Sequence, residues 1–211
     1  MSSQCDDSCS STEPVIDQRY RRVLAIALLL NLLMFMVEFS AGSAAKSSAL
    51  LADALDFLGD TANYGISLYV LGHALKWRAR ASLLKGLTMA GFGIWVLYAT
   101  LGRLMLGELP EASTMGIVGF LALMTNVGVA LMLYRYRVGD SNRESVWICS
   151  RNDAIGNIAV MIAALAVWKT ASLWPDVIVA LIMASLALSG AYRIIGSALR
   201  ELRLDTTRPE D

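Results

Sequence analysis

Apolar residues run in long blocks along this chain, separated by short polar connections. Six blocks are long enough for a bilayer crossing, which takes about 20 predominantly apolar residues: 23–42, 48–72, 83–106, 114–134, 146–169 and 174–196. A polar segment over 1–22 precedes them and a tail over 197–211 follows, so little chain is left for a soluble domain. The pattern predicts an all-α integral membrane protein, a six-transmembrane-helix bundle over 23–196. Arg21-Arg22, an apolar run and then "AGSAA" imitate a secretory signal with a small-residue cleavage site. Against cleavage stand Glu38 before that site, the acidic residues Asp6, Asp7, Glu13 and Asp17 upstream, and five further blocks downstream. The first block is therefore expected to remain as a membrane helix.

Two blocks break the apolar pattern, and they break it with helical spacing. In "LLADALDFLGDTANYG", Asp53, Asp56 and Asp60 fall at i, i+3 and i+7, on one face of a helix. An Asp at a membrane helix centre costs about 2.5 to 3.5 kcal/mol, whereas each Leu, Ile, Phe or Val returns only about 0.3 to 0.6. The acidic face must therefore be sheltered inside the bundle. In "WICSRNDAIGNIAV" of the fifth block, Cys149, Asp153 and Asn157 also share a face, at intervals of four. Two helices can thus present carboxylates and a thiol to one another near mid-membrane, a ligand set for a divalent cation.

Asp56, Asp60 and Asp153 would supply oxygen and Cys149 sulfur, while Asp53 lies nearer its helix end, where a direct or a supporting role fits equally. The alternative is purely structural, with carboxylates paired to Arg or accepting hydrogen bonds, and Cys149 acting as a small apolar residue. Intramembrane carboxylates more often mark ion or proton paths. Without a cation three such groups repel and hold protons; metal binding would expel those protons, which is a mechanism for exchange.

Composition agrees with a membrane setting: 56% apolar residues, 17% charged and a mean hydropathy of +0.54. The formal net charge is zero, but the basic residues are sorted. Arg19, Arg21 and Arg22, then Lys76, Arg78, Arg80 and Lys85, then Arg135, Arg137 and Arg143, then Arg193, Arg200, Arg203 and Arg208 flank one set of helix ends. The other set has Lys46, Arg103 and Lys169, with Glu108 and Glu111. Positive residues favour the cytoplasmic side, so both termini are expected there, and the sorting leaves no nucleic-acid-binding face. The three cysteines form no disulfide framework. Cys5 and Cys9 in "CDDSC" could collect a soft cation, but they lack the partner pair of a structural zinc site and read rather as part of a polar tail. His73 sits beside a basic connection, where it is expected to be solvated. Trp77, Trp147 and Trp174 fall where an interfacial aromatic belt would place them. Gly91, Gly93, Gly190 and Gly196 are expected to permit close helix contacts.

At these residues the chain resembles the cation diffusion facilitator, or cation efflux, family, from about Arg21 to Leu202. The family's second-span pattern "SxALLADAxxxxxD" appears as "SSALLADALDFLGD", which places its paired metal ligands on Asp56 and Asp60, and its fifth-span pair on Cys149 and Asp153. Glu38 and Gly42 in the first span, Asn126 in the fourth, and "WPDVIVALIMASLAL" with Pro175 and Asp176 opening the sixth agree with it. The resemblance implies export of Zn²⁺ or a similar ion (Cd²⁺, Co²⁺, Fe²⁺ or Mn²⁺) from the cytoplasm by proton antiport, usually as a homodimer, in a multi-pass protein of the bacterial inner membrane. Asp53, Asn157, Asn126 and Glu38 are expected to support the ligands. No prosthetic group and no enzymatic activity are implied.

The chain also departs from the family pattern. Zinc-transporting members usually carry His at the first position of each pair, where this chain has Asp56 and Cys149. Carboxylates favour harder ions such as Mn²⁺ or Fe²⁺, and a thiolate favours Zn²⁺ or Cd²⁺, so the ligand set leaves the metal open. The residues over 197–211 are too few for the family's cytoplasmic C-terminal metal-binding domain, and this chain is expected to be a short form without it. Two rival readings use the same residues. A non-transporting metal sensor or accessory subunit would bind without flux. An intramembrane aspartyl protease would need two Asp poised around one water, and it usually shows Tyr-Asp and Gly-x-Gly-Asp signatures where this chain has "ALDFLGD" and "SRNDAIGN".

Overall fold

The computed structural model describes residues 18–70, 75–136 and 141–206, with side chains described for 18–69, 80–136, 153–200 and 202–203. Six helices occupy that length: α1 (Gln18–Ala44), α2 (Ser48–Val70), α3 (Leu75–Leu106), α4 (Ala112–Tyr134), α5 (Ser141–Thr170) and α6 (Trp174–Thr206). Five of them contain an expected block whole, and α2 covers 48–70 of the block expected over 48–72. Five of them, all but α2, are long and apolar enough to cross a membrane. The exception is the helix that carries Asp53, Asp56 and Asp60.

Packing explains how α2 tolerates its carboxylates. It touches all five other helices, while α3 lies along α6, α1 along α2, and α4 along α5. Ala49, Leu50, Leu51, Ala52, Asp53, Ala54 and Leu55 are all fully buried. The large apolar side chains of the peripheral helices point outward instead: Leu29, Tyr98, Met105, Trp168 and Leu186 are among those more than half exposed. A bundle with an apolar outside and a polar stripe at its centre is the inverse of a soluble domain, and it suits a hydrocarbon solvent.

The α1–α2, α3–α4 and α5–α6 connections meet at one end of the bundle. Ser47 starts α2: its hydroxyl accepts the Leu50 N–H at 3.1 Å and donates to Asp176 Oδ1 of α6 at 2.6 Å. Asp176 also accepts the N–H groups of Ser48 at 2.8 Å and Ala49 at 3.0 Å. One carboxylate from α6 thus caps the free donors and the positive dipole end of α2. Close by, Lys46 Nζ donates to Glu108 at 2.6 Å, and the Glu111 N–H donates to the Ala45 carbonyl at 2.9 Å. α5 ends at Ala171, whose φ of 47° is left-handed, with its N–H returned to the Val167 carbonyl.

The glycine expectations need correction. Gly93 does allow close contact, since a Cβ there would lie 2.9 Å from Leu188. Gly91, Gly190 and Gly196 face open space instead. The close crossings use Gly42, against Leu50 and Leu51, and Gly86, where a Cβ would meet Ile195 at 2.7 Å. Small residues recur in membrane helices on outward faces as well as at crossings, so their presence alone does not locate a contact.

Candidate metal centre

Asp60 is the best-defined member of the acidic face. It is buried, and its Oδ2 accepts the Tyr64 hydroxyl one turn on, at 2.9 Å. Across the α2–α3 contact, Lys85 acts on it electrostatically and donates to the Asn63 side-chain carbonyl. Lys85 belongs by sequence to the basic residues that flank one set of helix ends, yet it is only 8% exposed and takes part in this polar interior. Asp56 lies one turn from Asp60, towards the Asp176 end of the helix, and is half-buried.

From α5, Asp153 comes to the same face. Its charged neighbours are Asp60, Asp56 and Asp53, and the Asp60 and Asp153 carboxyls lie within hydrogen-bonding reach of one another once either carries a proton. Asp153 is half-buried, and its Oδ2 has no hydrogen-bond partner. Among the described residues, no three Cys, His, Asp or Glu side chains close into a single ligating cluster. Ionised carboxylates this close in a low-dielectric interior repel one another, and a divalent cation between them would reverse the sign of that force. The other expected ligand, Cys149, lies on α5 outside the residues whose side chains are described, as does Arg151, for which the sequence offers Glu38 or Asp53 as a partner. His73, Cys5 and Cys9 lie outside the described residues altogether.

The four supporting residues form a second layer, nearer the Asp176 end. Asn126 Nδ2 of α4 donates to Asn157 Oδ1 of α5 at 2.9 Å, and Asn157 Nδ2 donates to Asp53 Oδ2 of α2. Glu38 of α1 faces Asp53. All four are buried, with exposures from 0 to 2%, so this layer is sealed where Asp56 and Asp153 are not. The sequence pointed to Glu38 and Asn126 only through the family pattern. Asn63, Tyr64, Lys85 and Ser47 carried no signal beyond being polar residues beside or within apolar blocks.

Residues 24–203 match the cation efflux transmembrane domain. The chain is 25% identical over 193 residues to the metal cation efflux system protein CzcD of Cupriavidus metallidurans, and equally to the cation efflux system protein CzcD of an Alcaligenes species. Each alignment covers 86% of this chain and 61% of the relative. It is 33% identical over 143 residues to metal tolerance protein A2 of Arabidopsis thaliana, covering 61% of this chain and 36% of that one. The chain thus spans about three fifths of the length of the CzcD relatives. The match runs through all six helices and includes both acidic faces, and this multi-pass membrane chain belongs to the cation efflux family.

Proposed function

We propose that this protein exports divalent transition-metal cations from the cytoplasm in exchange for protons, with Zn²⁺ or an ion of similar character as substrate. The observation that carries the reading is the meeting of Asp56 and Asp60 on α2 with Asp153 on α5, inside a bundle whose outside is apolar. The relatives' names, a metal cation efflux protein and a metal tolerance protein, point to the same class of substrate.

Asp56, Asp60 and Asp153 act as the oxygen ligands and Cys149 as a sulfur ligand. Tyr64 fixes the orientation of Asp60, and the Lys85 charge beside it limits how tightly a cation is held. A site made only of carboxylates would favour hard ions; the thiolate shifts it towards Zn²⁺ and Cd²⁺.

The termini face the cytoplasm in this reading, because Arg19, Arg21, Arg22, Arg80 and Arg135 flank that end. The Asp176 end then faces outward, in the inner membrane of a bacterial cell. Asp176, Ser47 and the buried start of α2 close the outer side, whereas Asp56 and Asp153 keep partial access. Export requires the Asp176 contacts to part and the inner access to close, so that the ligands face one side at a time. Protons taken up from outside neutralise the emptied carboxylates, and arriving metal displaces them.

The test is flux. Vesicles holding the purified full chain and a trapped metal-sensitive dye should take up Zn²⁺ at a rate well above empty vesicles. Binding without flux would instead support a sensor.

A further inference from the structure

The buried Glu38–Asp53 pair lies outside the proposed ligand set of Asp56, Asp60, Asp153 and Cys149, and its geometry is unfinished. Both side chains are fully buried. Asp53 Oδ2 takes the Asn157 amide, but Asp53 Oδ1 and both Glu38 oxygens have no hydrogen-bond partner among the described residues. Two carboxylates facing one another are acceptors only, so no arrangement of the ionised pair can satisfy them. Leaving a buried acceptor unsatisfied costs about 1 to 3 kcal/mol, and more for a charged group.

Among the described residues the surroundings supply acids and amides rather than a countercharge. On α2 the nearest titratable groups are Asp56 and then Asp60, and on α5 Asp153. α4 contributes Asn126 through Asn157. Two basic groups of α3 act elsewhere: Lys85 on Asp60, and Arg103 on Asp176 of α6 and on Glu108. Arg151 of α5 lies outside the described side chains. A metal ion would need several oxygens and room for them; a proton needs one contact.

We propose that Glu38 and Asp53 form a dedicated proton-carrying pair: Glu38 holds a proton and donates it to Asp53 Oδ1, apart from the groups that ligate metal. This deepens the proton-coupled reading and rests on it. Asp53 stands one helical turn from Asp56, so a divalent cation arriving at Asp56, Asp60 and Asp153 places positive charge beside the pair without touching it. In a low-dielectric interior that charge favours the ionised pair and drives its proton towards the cytoplasmic side. When the metal leaves outward, the pair takes up a proton from outside and the cycle repeats. The fixed amide of Asn157 keeps Asp53 oriented to accept in both halves of the cycle.

Glu38→Gln tests this directly, because the amide donates to Asp53 as a protonated acid does but carries no exchangeable acid proton. Proteoliposomes of the full chain, with trapped dyes for Zn²⁺ and for pH, report the protons moved per Zn²⁺. The expected result is a proton-to-metal ratio reduced by at least half, a ratio counted per Zn²⁺ moved and so independent of any change in Zn²⁺ affinity. An unchanged ratio, with wild type showing counterflow, overturns this proposal and leaves proton antiport standing. No proton counterflow in wild type overturns both. Should Glu38→Gln fail to insert, infrared spectra of wild type labelled with ¹³C at Glu carboxyls decide. A labelled carboxylic-acid band at neutral pH that Zn²⁺ removes supports the pair, and the absence of any such band refutes it.

Discussion

Asp60 and Asp153 are the residues on which transport should depend most sharply. Each is a proposed ligand on a different helix, and neither anchors a helix end or closes the outer side. Asp60→Ala or Asp153→Ala is expected to reduce vesicle Zn²⁺ uptake to background while the protein still inserts and purifies; normal rates in both would remove these residues from the mechanism. Cys149 separates the candidate ions. If its sulfur ligates, Cys149→Ser should weaken Cd²⁺ and Zn²⁺ binding at least tenfold while changing Mn²⁺ binding little, since sulfur favours the softer ions. An equal effect on all three ions would make Cys149 a packing residue. The acidic stripes were legible because carboxylates in an apolar block are costly and their spacing fixes a common face. Lys85, Asn63 and Tyr64 were not, because their roles arise from what lies across a helix contact or one turn away, and no periodicity encodes that. Lys85 in particular reads as a loop-side cation until α3 is seen to extend from Leu75, which places it inside the bundle.

Two contacts between elements lend themselves to mutation. Asp176 satisfies three donors at the start of α2 from the first turn of α6. Asp176→Ala leaves these buried donors without a partner, at about 1 to 3 kcal/mol each before water or relaxation offsets it. The variant should melt lower in detergent and leak metal more readily from the outer side. An unchanged melting temperature would show that other contacts hold this end. At the α3–α6 crossing, Gly86→Val forces a side chain into Ile195, whereas Gly91→Ala meets nothing. The first should lower thermal stability by roughly 1 to 3 kcal/mol through overpacking. The second should be neutral or stabilising by up to about 1 kcal/mol, as Ala in place of a helical Gly generally is. Equal effects would place the crossing elsewhere. Helix existence was readable from apolar blocks, and element ends were less so: α3 and α6 run several residues beyond their apolar windows. Hydropathy marks the length in lipid, while the helix continues until its hydrogen bonding is interrupted.

For the whole molecule, the number and order of helices followed from the blocks, and the central position of α2 followed from charge alone, since a helix bearing three carboxylates must be surrounded by protein. What the chain could not disclose is the division of its buried acids into two layers. Asp53, Asp56 and Asp60 look alike as a stripe. Only the packing of α1, α4 and α5 gives Asp53 the company of Glu38, Asn126 and Asn157, sealed from solvent, and leaves Asp56 and Asp153 accessible. Exchange of one kind of cation for another across the membrane is the proposal that rests on these two layers. It is tested most directly by simultaneous recording of Zn²⁺ and pH in proteoliposomes of the wild-type chain, with and without an imposed pH gradient. Zn²⁺ uptake with protons moving the opposite way, accelerated by a gradient that draws protons out of the vesicle, is the predicted result. Zn²⁺ flux with no proton counterflow and no response to the gradient would contradict the account and describe a uniporter.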